Sequence, residues 1–177
     1  GFLGFYMLQY LVKYAKKLKI KKIIGLDNFI IEKPEWLVHL EENNNNILSI
    51  HNFDIASDDI SKIEFSAEVS FVIHAASIAS PTFYRKFPLE TVDANIWGLR
   101  KLLDYYNSDA LKGFLFFSSS EIYGNPEIHP QKEEYFGNVD LNSERSCYEE
   151  GKRIAETLSF DYKKVHGCDV KIARIFN

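Results

Sequence analysis

The sequence lacks several features that define large classes of proteins. No apolar run approaches the length that crosses a bilayer, so we expect no membrane partner. An excess of basic residues is also missing: the net charge is −4, which argues against nucleic acid as the main partner. Cysteine is scarce, and Cys147 and Cys168 have neither metal-ligand spacing nor a disulfide pattern. We therefore expect no metal site and a reducing, cytoplasmic location.

The order of apolar patterns indicates the fold class. Hydrophobic residues make up 46% and charged residues 26%, and no repeat or Pro/Gly-rich linker divides the chain, so we expect one globular domain over residues 1–177. Runs of strand length alternate with helix-spaced patterns, which predicts an α/β fold with a parallel sheet covered on both faces. The strands are expected at 21–29, 47–55, 69–77, 113–120 and 169–177, and the helices at 5–18, near 34–40, at 89–107 and at 148–166.

Two glycines open the sequence just before the first helix. Gly1 and Gly4, in "GFLGFY", have the spacing with which a dinucleotide fold lets its backbone approach a pyrophosphate at a helix N-terminus. A simple helix cap is the alternative. Asp27, about twenty residues further on, stands at a strand end where a carboxylate accepts both adenosine-ribose hydroxyls. Because this charge repels a 2′-phosphate, the sequence predicts NAD rather than NADP on a Rossmann-type doubly wound sheet.

Three serines and a glutamate follow the apolar strand "GFLFF" directly, in "SSSEIYGNP" (118–126). One interpretation is a Ser-rich turn whose side chains bond to nearby backbone. The other is an active site, because open α/β sheets bind ligands beyond the carboxyl ends of their strands. The segment by itself leaves both interpretations open.

A tyrosine and a lysine stand four residues apart in "SCYEEGKR" (146–153). On a helix Tyr148 and Lys152 share a face, and a nearby ammonium lowers the pKa of a phenol, which makes it a usable base. In a chain with 10 tyrosines, about one such spacing is expected by chance. The Tyr148–Lys152 pair comes one element after Ser119, in a chain that also has a nucleotide turn. This position favours a hydride-transfer triad in which Ser119 holds the substrate oxygen and Tyr148 moves the proton of that oxygen.

The whole chain resembles the extended short-chain dehydrogenase/reductases, in particular the NAD-dependent epimerase/dehydratase family. The segments that carry the resemblance are "GFLGF", "GLDNF", "FDI", "VIHAASIASP", "DANIWGLRKLL", "FFSSSEIYGNP", "YEEGKRIAE" and "ARIFN". Within this family, "EIYGNPEIHPQKEEYFGNV" followed by "RSCYEEGKRIAET" is most similar to the UDP-glucuronate decarboxylases, with the dTDP-glucose 4,6-dehydratases as near relatives. The resemblance implies a Rossmann-type enzyme of nucleotide-sugar metabolism with NAD as cofactor.

The resemblance also implies roles for the residues after the fourth strand. Ser119 takes the place of the triad's Ser/Thr, and Glu121 takes the place of the acid/base carboxylate that decarboxylases and dehydratases share. In 4,6-dehydratases an Asp that protonates the departing 6-hydroxyl usually precedes this Glu. Ser120 stands there instead, and because a hydroxyl is a poor proton donor, decarboxylation is favoured.

Other binding positions are carried over by their match to the family. His74 is expected to be structural rather than catalytic. The expected substrate contacts are Ala79, Tyr84, Ser119, Ser120, Arg145 and Asn177, and the expected cofactor contacts are Gly1, Gly4, Asp27, Asp54, Ile55, Ala75, Ala76, Tyr148 and Lys152.

The resemblance further implies a homodimer built from the helices at 89–107 and 148–166, with Trp97 in the core or on the dimer surface. We expect the chain to be a fragment that begins inside the phosphate motif and lacks both the first strand and the C-terminal substrate subdomain. The alternatives are a 4,6-dehydratase, a 4-epimerase, and a catalytically silent NAD(H)-binding scaffold protein. Ser119, Glu121, Tyr148 and Lys152 together argue against the last, since a silent domain has no physical need for all four.

Overall fold

A computed structural model describes residues 1–107 and 111–176 of the chain. The chain forms two compact units, Gly1–Asp54 and Ile55–Asn177. Both units combine helices with parallel strands, which confirms the predicted α/β class. The single domain expected over residues 1–177 stays a prediction.

The first unit has two helices and a two-stranded parallel sheet. Helix α1 ends because Lys19 adopts a left-handed conformation and its amide bonds to the carbonyls of the last turn. In the sheet, Ile23 pairs with Leu48 at one end and Asp27 with Asn52 at the other, so both strands finish at the same edge. The elements are α1 (Phe2–Leu18), β1 (Ile23–Asp27), α2 (Glu35–Glu42) and β2 (Leu48–Asn52).

The second unit contains a three-stranded parallel sheet in the order β3-β4-β5. Its central strand β4 buries alternate side chains, with Phe114 and Phe116 at 1% and 0% exposure. The elements are β3 (Phe71–His74), α3 (Pro81–Lys86), α4 (Pro88–Asp93), α5 (Leu99–Tyr105), β4 (Gly113–Ser119), α6 (Ser146–His166) and β5 (Val170–Ile175), with short 3-10 turns at Ile60–Lys62, Ser66–Glu68 and Ser120–Tyr123.

The long helix expected at 89–107 is present from Pro88 to Tyr105, but it is not a regular α-helix throughout. A π-helical turn, Ala94–Gly98, separates α4 from α5. Asn95 within it is fully buried and donates from Nδ2 to the Thr91 carbonyl at 2.8 Å. Gly98 faces Ile55, and a Cβ at Gly98 would lie 2.6 Å from the Ile55 Cγ2. An extra residue in one turn is a common device at functional sites, and α6 packs directly against this one.

In the part of the chain that the structure describes, no helix is both long and apolar enough to cross a membrane.

Candidate active site

The carboxyl end of β4 carries the first serines of the 118–126 segment. Ser119 is buried, and its Oγ accepts a hydrogen bond from the Glu121 amide at 3.2 Å, which caps the turn Ser120–Tyr123. The Ser119 hydroxyl also interacts with the Tyr148 phenol and lowers the pKa of that phenol. The side chain therefore does two things: it orders the backbone of the turn, and it contacts the tyrosine with which it was predicted to act.

Tyr148 lies in the first turn of α6 and is 6% exposed. Its ring stacks on that of Tyr84, with 5.4 Å between the centroids and 12° between the planes. Burial raises the pKa of the Tyr148 phenol, and the interaction with Ser119 opposes this shift. The sequence had predicted the opposite direction, a phenol pKa lowered by Lys152.

The environment of Lys152 explains this difference. Lys152 is 2% exposed, and its Nζ donates to the Phe117 carbonyl at 2.7 Å rather than to the phenol. The ammonium lies 4.8 Å from the centroid of the Phe116 ring and 5.7 Å from that of Tyr148. Burial lowers the pKa of Lys152 to about 7. As the pH rises, Lys152 therefore loses its charge before the Tyr148 phenol ionises. Lys152 can stabilise the phenolate only if other groups keep the ammonium protonated.

Glu121 shares an arginine with a second carboxylate. Arg145 Nη2 lies 2.9 Å from Glu121 Oε2 and 2.7 Å from Glu149 Oε1, and Arg145 Nε donates to the same Glu149 oxygen at 3.0 Å. The Glu149 side chain is only 4% exposed, whereas Glu121 is 33% exposed. Glu149 thus anchors the guanidinium, and Glu121 keeps a partly open carboxylate that can reach a bound molecule.

The remaining substrate positions differ in accessibility. Ala79 is exposed and Ser120 is half-buried, so both can contact a ligand. Tyr84 is 2% exposed, and its ring contacts Tyr148. Asn177 lies outside the described residues.

The predicted cofactor residues fall in both units. Gly1, Gly4, Asp27 and Asp54 belong to the first, whereas Ile55, Ala75, Ala76, Tyr148 and Lys152 belong to the second.

The residues of the first unit fit a dinucleotide. Apart from the adjacent residues and the nearby backbone of α1, no described atom lies within 4 Å of where a Cβ of Gly1 or Gly4 would stand, and the first turn of α1 carries no acidic residue. This open helix N-terminus suits a phosphate. Asp27 is exposed at the end of β1, where its Oδ1 accepts the Phe29 amide at 2.8 Å. The Asp54 carboxylate accepts a hydrogen bond from Asn28 Nδ2 at 3.2 Å.

His74 is buried, and burial lowers its pKa to about 3, whereas its structural role stays a prediction. Two further residues near the candidate site, Asn95 and Glu156, were not predicted from the sequence. Asn95 of the π-helical turn packs against Gly151, where a Cβ would lie 3.3 Å from the Asn95 Cβ, so the glycine of "YEEGK" is needed for this approach. Glu156 stands four residues after Lys152, so its place on the same helix face could have been predicted from the sequence. The residues that contact Glu156 are Ser118 and Arg174, and these contacts could not have been predicted because both residues lie on other elements.

A parallel α/β fold with a serine, a buried tyrosine and a lysine gathered at the end of one strand defines a class of proteins, the short-chain dehydrogenase/reductases. Residues 1–177 match the NAD dependent epimerase/dehydratase family, and the chain belongs to that family, whose cofactor is NAD. This confirms the resemblance noted in the sequence.

The relatives and solved structures agree with this assignment. The chain is 39% identical to UDP-glucuronic acid decarboxylase 1 of Arabidopsis thaliana, over 100% of this chain and 38% of the relative. It is 34% identical to UDP-glucuronic acid decarboxylase 1 of Xenopus tropicalis, over 100% of this chain and 39% of the relative. The chain therefore spans well under half the length of these two relatives.

Two solved structures share the fold at lower identity. The dTDP-glucose 4,6-dehydratase of Streptomyces venezuelae, solved with NAD and TYD bound, has a TM-score of 0.82 at 19% identity, covering 98% of this chain and 52% of that chain. The UDP-glucuronic acid 4-epimerase of Bacillus cereus, solved with UDP-glucuronic acid and NAD, has a TM-score of 0.78 at 23% identity, covering 98% and 53%.

Proposed function

We propose that the whole protein is an NAD-dependent UDP-glucuronate decarboxylase that works through a 4-keto sugar. The observation that carries the proposal is the grouping of Ser119, Tyr148 and Lys152 at the end of β4, beside a partly open Glu121. The decarboxylase names of the relatives support the choice of substrate.

Tyr148 is the group that takes the proton of the sugar 4-hydroxyl. Ser119, which interacts with the phenol, holds the same substrate oxygen in this proposal. When Lys152 is charged, its ammonium favours the phenolate form of Tyr148, so the pair works as one base. NAD, when bound, accepts the hydride of C4 and returns it after decarboxylation.

Glu121 acts in the step that follows oxidation. A 4-ketone is β to the C6 carboxylate, so the carbanion left by loss of carbon dioxide is stabilised as an enolate. Protonation of that enolate needs a positioned acid/base group, and Glu121 is the accessible carboxylate beside Tyr148. Arg145, held by Glu149, fixes the orientation of Glu121 through a 2.9 Å contact.

Ser120 favours decarboxylation over the rival reaction of the same fold. A 4,6-dehydratase must protonate a departing hydroxyl, and a serine hydroxyl is a poor proton donor. Dehydration, epimerisation and a silent scaffold are the other outcomes of the test.

The test is to incubate the whole protein with UDP-glucuronate and with common nucleotide-hexoses, and to identify the products by mass. We expect loss of carbon dioxide from UDP-glucuronate alone. Loss of water from a nucleotide-hexose, a change of configuration without change of mass, or no product from any of them would contradict the proposal.

We expect Asp27 to set the choice of cofactor. Asp27→Ala in the whole protein should weaken NAD binding and narrow the gap to NADP, because the change removes both a ribose acceptor and a charge that repels a 2′-phosphate. Titration of both cofactors measures the ratio. Glu32→Ala removes an exposed carboxylate elsewhere in the same unit and serves as the control. An unchanged NAD/NADP ratio in Asp27→Ala would show that this prediction is wrong.

We also propose that the whole protein is a homodimer that pairs α4, α5 and α6. The outer surfaces of α4, of the π-helical turn and of α6 carry more exposed apolar surface than a monomer normally keeps. The exposed apolar residues include Leu89, Trp97, Ile154, Phe160 and Val165, at 73%, 58%, 42%, 61% and 70% exposure.

Sedimentation tests this assembly. The whole protein should sediment as a dimer at micromolar concentration, and Trp97→Glu combined with Phe160→Glu should produce monomers, because each dimer would bury charges in an apolar contact. Phe136→Glu changes an aromatic that is 88% exposed outside these helices and should leave the dimer intact. A monomeric wild-type protein would count decisively against the dimer.

A further inference from the structure

A buried carboxylate lies one helical turn beyond Lys152. Glu156 is 5% exposed and Lys152 is 2% exposed, and the two residues stand four positions apart on the same face of α6. Neither the family comparison nor the predicted Ser–Tyr–Lys chemistry assigns a role to Glu156. Burying a carboxylate and an ammonium removes the hydration of both groups, which is unfavourable. A charged Glu156 at this position therefore suggests a specific role.

Two neighbouring strands hold this carboxylate in place. Ser118 Oγ donates to Glu156 Oε1 at 2.6 Å, and Arg174 donates from Nε and Nη2, with its shortest contact 2.8 Å to Oε2. Ser118 and Arg174 are paired in register on β4 and β5. Arg174 Nη1 also donates to the Tyr123 hydroxyl at 2.8 Å, which fixes the guanidinium from its other side. The Glu156 carboxylate therefore has a defined position, bonded to the residue that precedes Ser119 on β4.

The charges that face Lys152 come from three elements. On α6 they are Glu156 and the Tyr148 phenol, on β3 His74, and on β5 Arg174, which acts through Glu156. Burial lowers the pKa of His74 to about 3, so His74 is neutral at neutral pH. Burial also lowers the pKa of Lys152 to about 7, and the charge of Glu156 opposes that shift.

We infer that Glu156 is a positioning residue whose negative charge favours the protonated form of Lys152, so that more of Lys152 is charged and can stabilise the Tyr148 phenolate. The inference rests on the proposed role of Lys152 in catalysis. Ser118 and Arg174 fix the carboxylate in place, and the ammonium bonded to the Phe117 carbonyl is the group that responds to it. The first serine of the 118–126 segment thus acts through Glu156, whereas the second contacts Tyr148 itself.

Glu156→Gln separates a charge effect from a purely structural one. Glutamine keeps the size of the side chain but removes the negative charge and leaves the positive charge of Arg174 uncompensated. Both changes make a charged Lys152 less favourable. If Glu156 had only a structural role, Glu156→Gln would lower the melting temperature of the protein without changing the midpoint of the Lys152 titration.

The measurement is a pH titration of the whole protein labelled with lysine carrying ¹³C at Cε, followed by NMR. The Lys152 signal is identified by its loss in Lys152→Met. We expect a wild-type midpoint near 7 and, in Glu156→Gln, a midpoint about one pH unit lower, a roughly tenfold loss of proton affinity. Glu156→Asp keeps the charge and should restore most of the wild-type midpoint. Glu150→Gln, on the same helix, should leave it unchanged.

The outcomes distinguish this inference from the proposed function. An unmoved midpoint in folded Glu156→Gln overturns the inference even if the enzyme decarboxylates UDP-glucuronate. A lowered midpoint in a protein that converts no nucleotide sugar supports the Glu156–Lys152 coupling and overturns the proposed function. If Glu156→Gln does not fold, Ser118→Ala decides: the carboxylate loses one of the two groups that fix it in place, so its charge should act less on Lys152 and the midpoint should fall, and an unchanged midpoint overturns the inference.

Discussion

Tyr148→Phe in the whole protein should abolish the first hydride transfer, so that neither NADH nor a keto sugar forms from UDP-glucuronate. Phenylalanine keeps the aromatic ring, and therefore the stacking on Tyr84 at 5.4 Å between centroids. The change removes only the hydroxyl that interacts with Ser119 and that we propose takes the substrate proton. A loss of roughly 10²–10⁴ is the usual effect of deleting an acid/base group, and a group needed to start the reaction belongs at the upper end.

Single-turnover absorbance of NADH measures this step directly. Tyr162→Phe is a matched control, because Tyr162 is also buried on α6 and also loses a hydroxyl hydrogen bond, in its case to Asp104. The control should oxidise the sugar at nearly the wild-type rate. Hydride transfer in Tyr148→Phe at the rate of the Tyr162→Phe control would show that another group is the base.

The pairing of Tyr148 and Lys152 illustrates what local spacing can predict. Two residues four apart on a helix share a face whatever the rest of the chain does, and both side chains are directed into the interior. The hydrogen-bond partner of Lys152 could not be predicted, because the Phe117 carbonyl belongs to a strand 35 residues away in sequence. The direction of the phenol pKa was wrong for the same reason: burial depends on packing between distant elements, whereas the sequence argument considered the charge alone.

The π-helical turn shows a second limit of sequence patterns. Apolar residues between 89 and 107 repeat at helical spacing. A π-helical turn adds one residue to the helix, and a spacing of either three or four residues between apolar positions hides this addition in the sequence. Asn95, a polar residue within the apolar pattern, was the available signal. The close approaches of Gly98 to Ile55 and of Gly151 to Asn95 depend on tertiary packing, so neither glycine could be assigned its role from the sequence.

The serines of the 118–126 segment show that both predicted interpretations can apply within one turn. Ser119 bonds to nearby backbone, as in an ordinary turn, and also contacts the tyrosine. Ser118 bonds to neither, since its partner is Glu156 on a helix 38 residues away. That a site lies at this strand end stays a prediction from residue type and position, whereas the different contacts of the two serines depend on the positions of α6 and β5.

Glu121→Gln should separate the oxidation step from the step that follows it. The variant keeps the size of the side chain, and Arg145 stays anchored by Glu149 at 2.7 Å, so the surroundings of the missing charge are preserved. Tyr148 and Lys152 remain in place and should still oxidise C4. NADH or a 4-keto sugar should therefore form at a rate close to that of the wild type.

The later step should slow by roughly 10²–10⁴, because a positioned acid/base group is lost where the enolate must be protonated. Product analysis beside single-turnover NADH absorbance should show the keto sugar accumulating, which no Tyr148 variant can produce. Glu150→Gln is the matched control: it removes a carboxylate with 35% exposure, close to the 33% of Glu121, that also pairs with an arginine on α6. Full turnover in Glu121→Gln would mean that the carboxylate only completes the turn after β4, and that another group protonates the enolate.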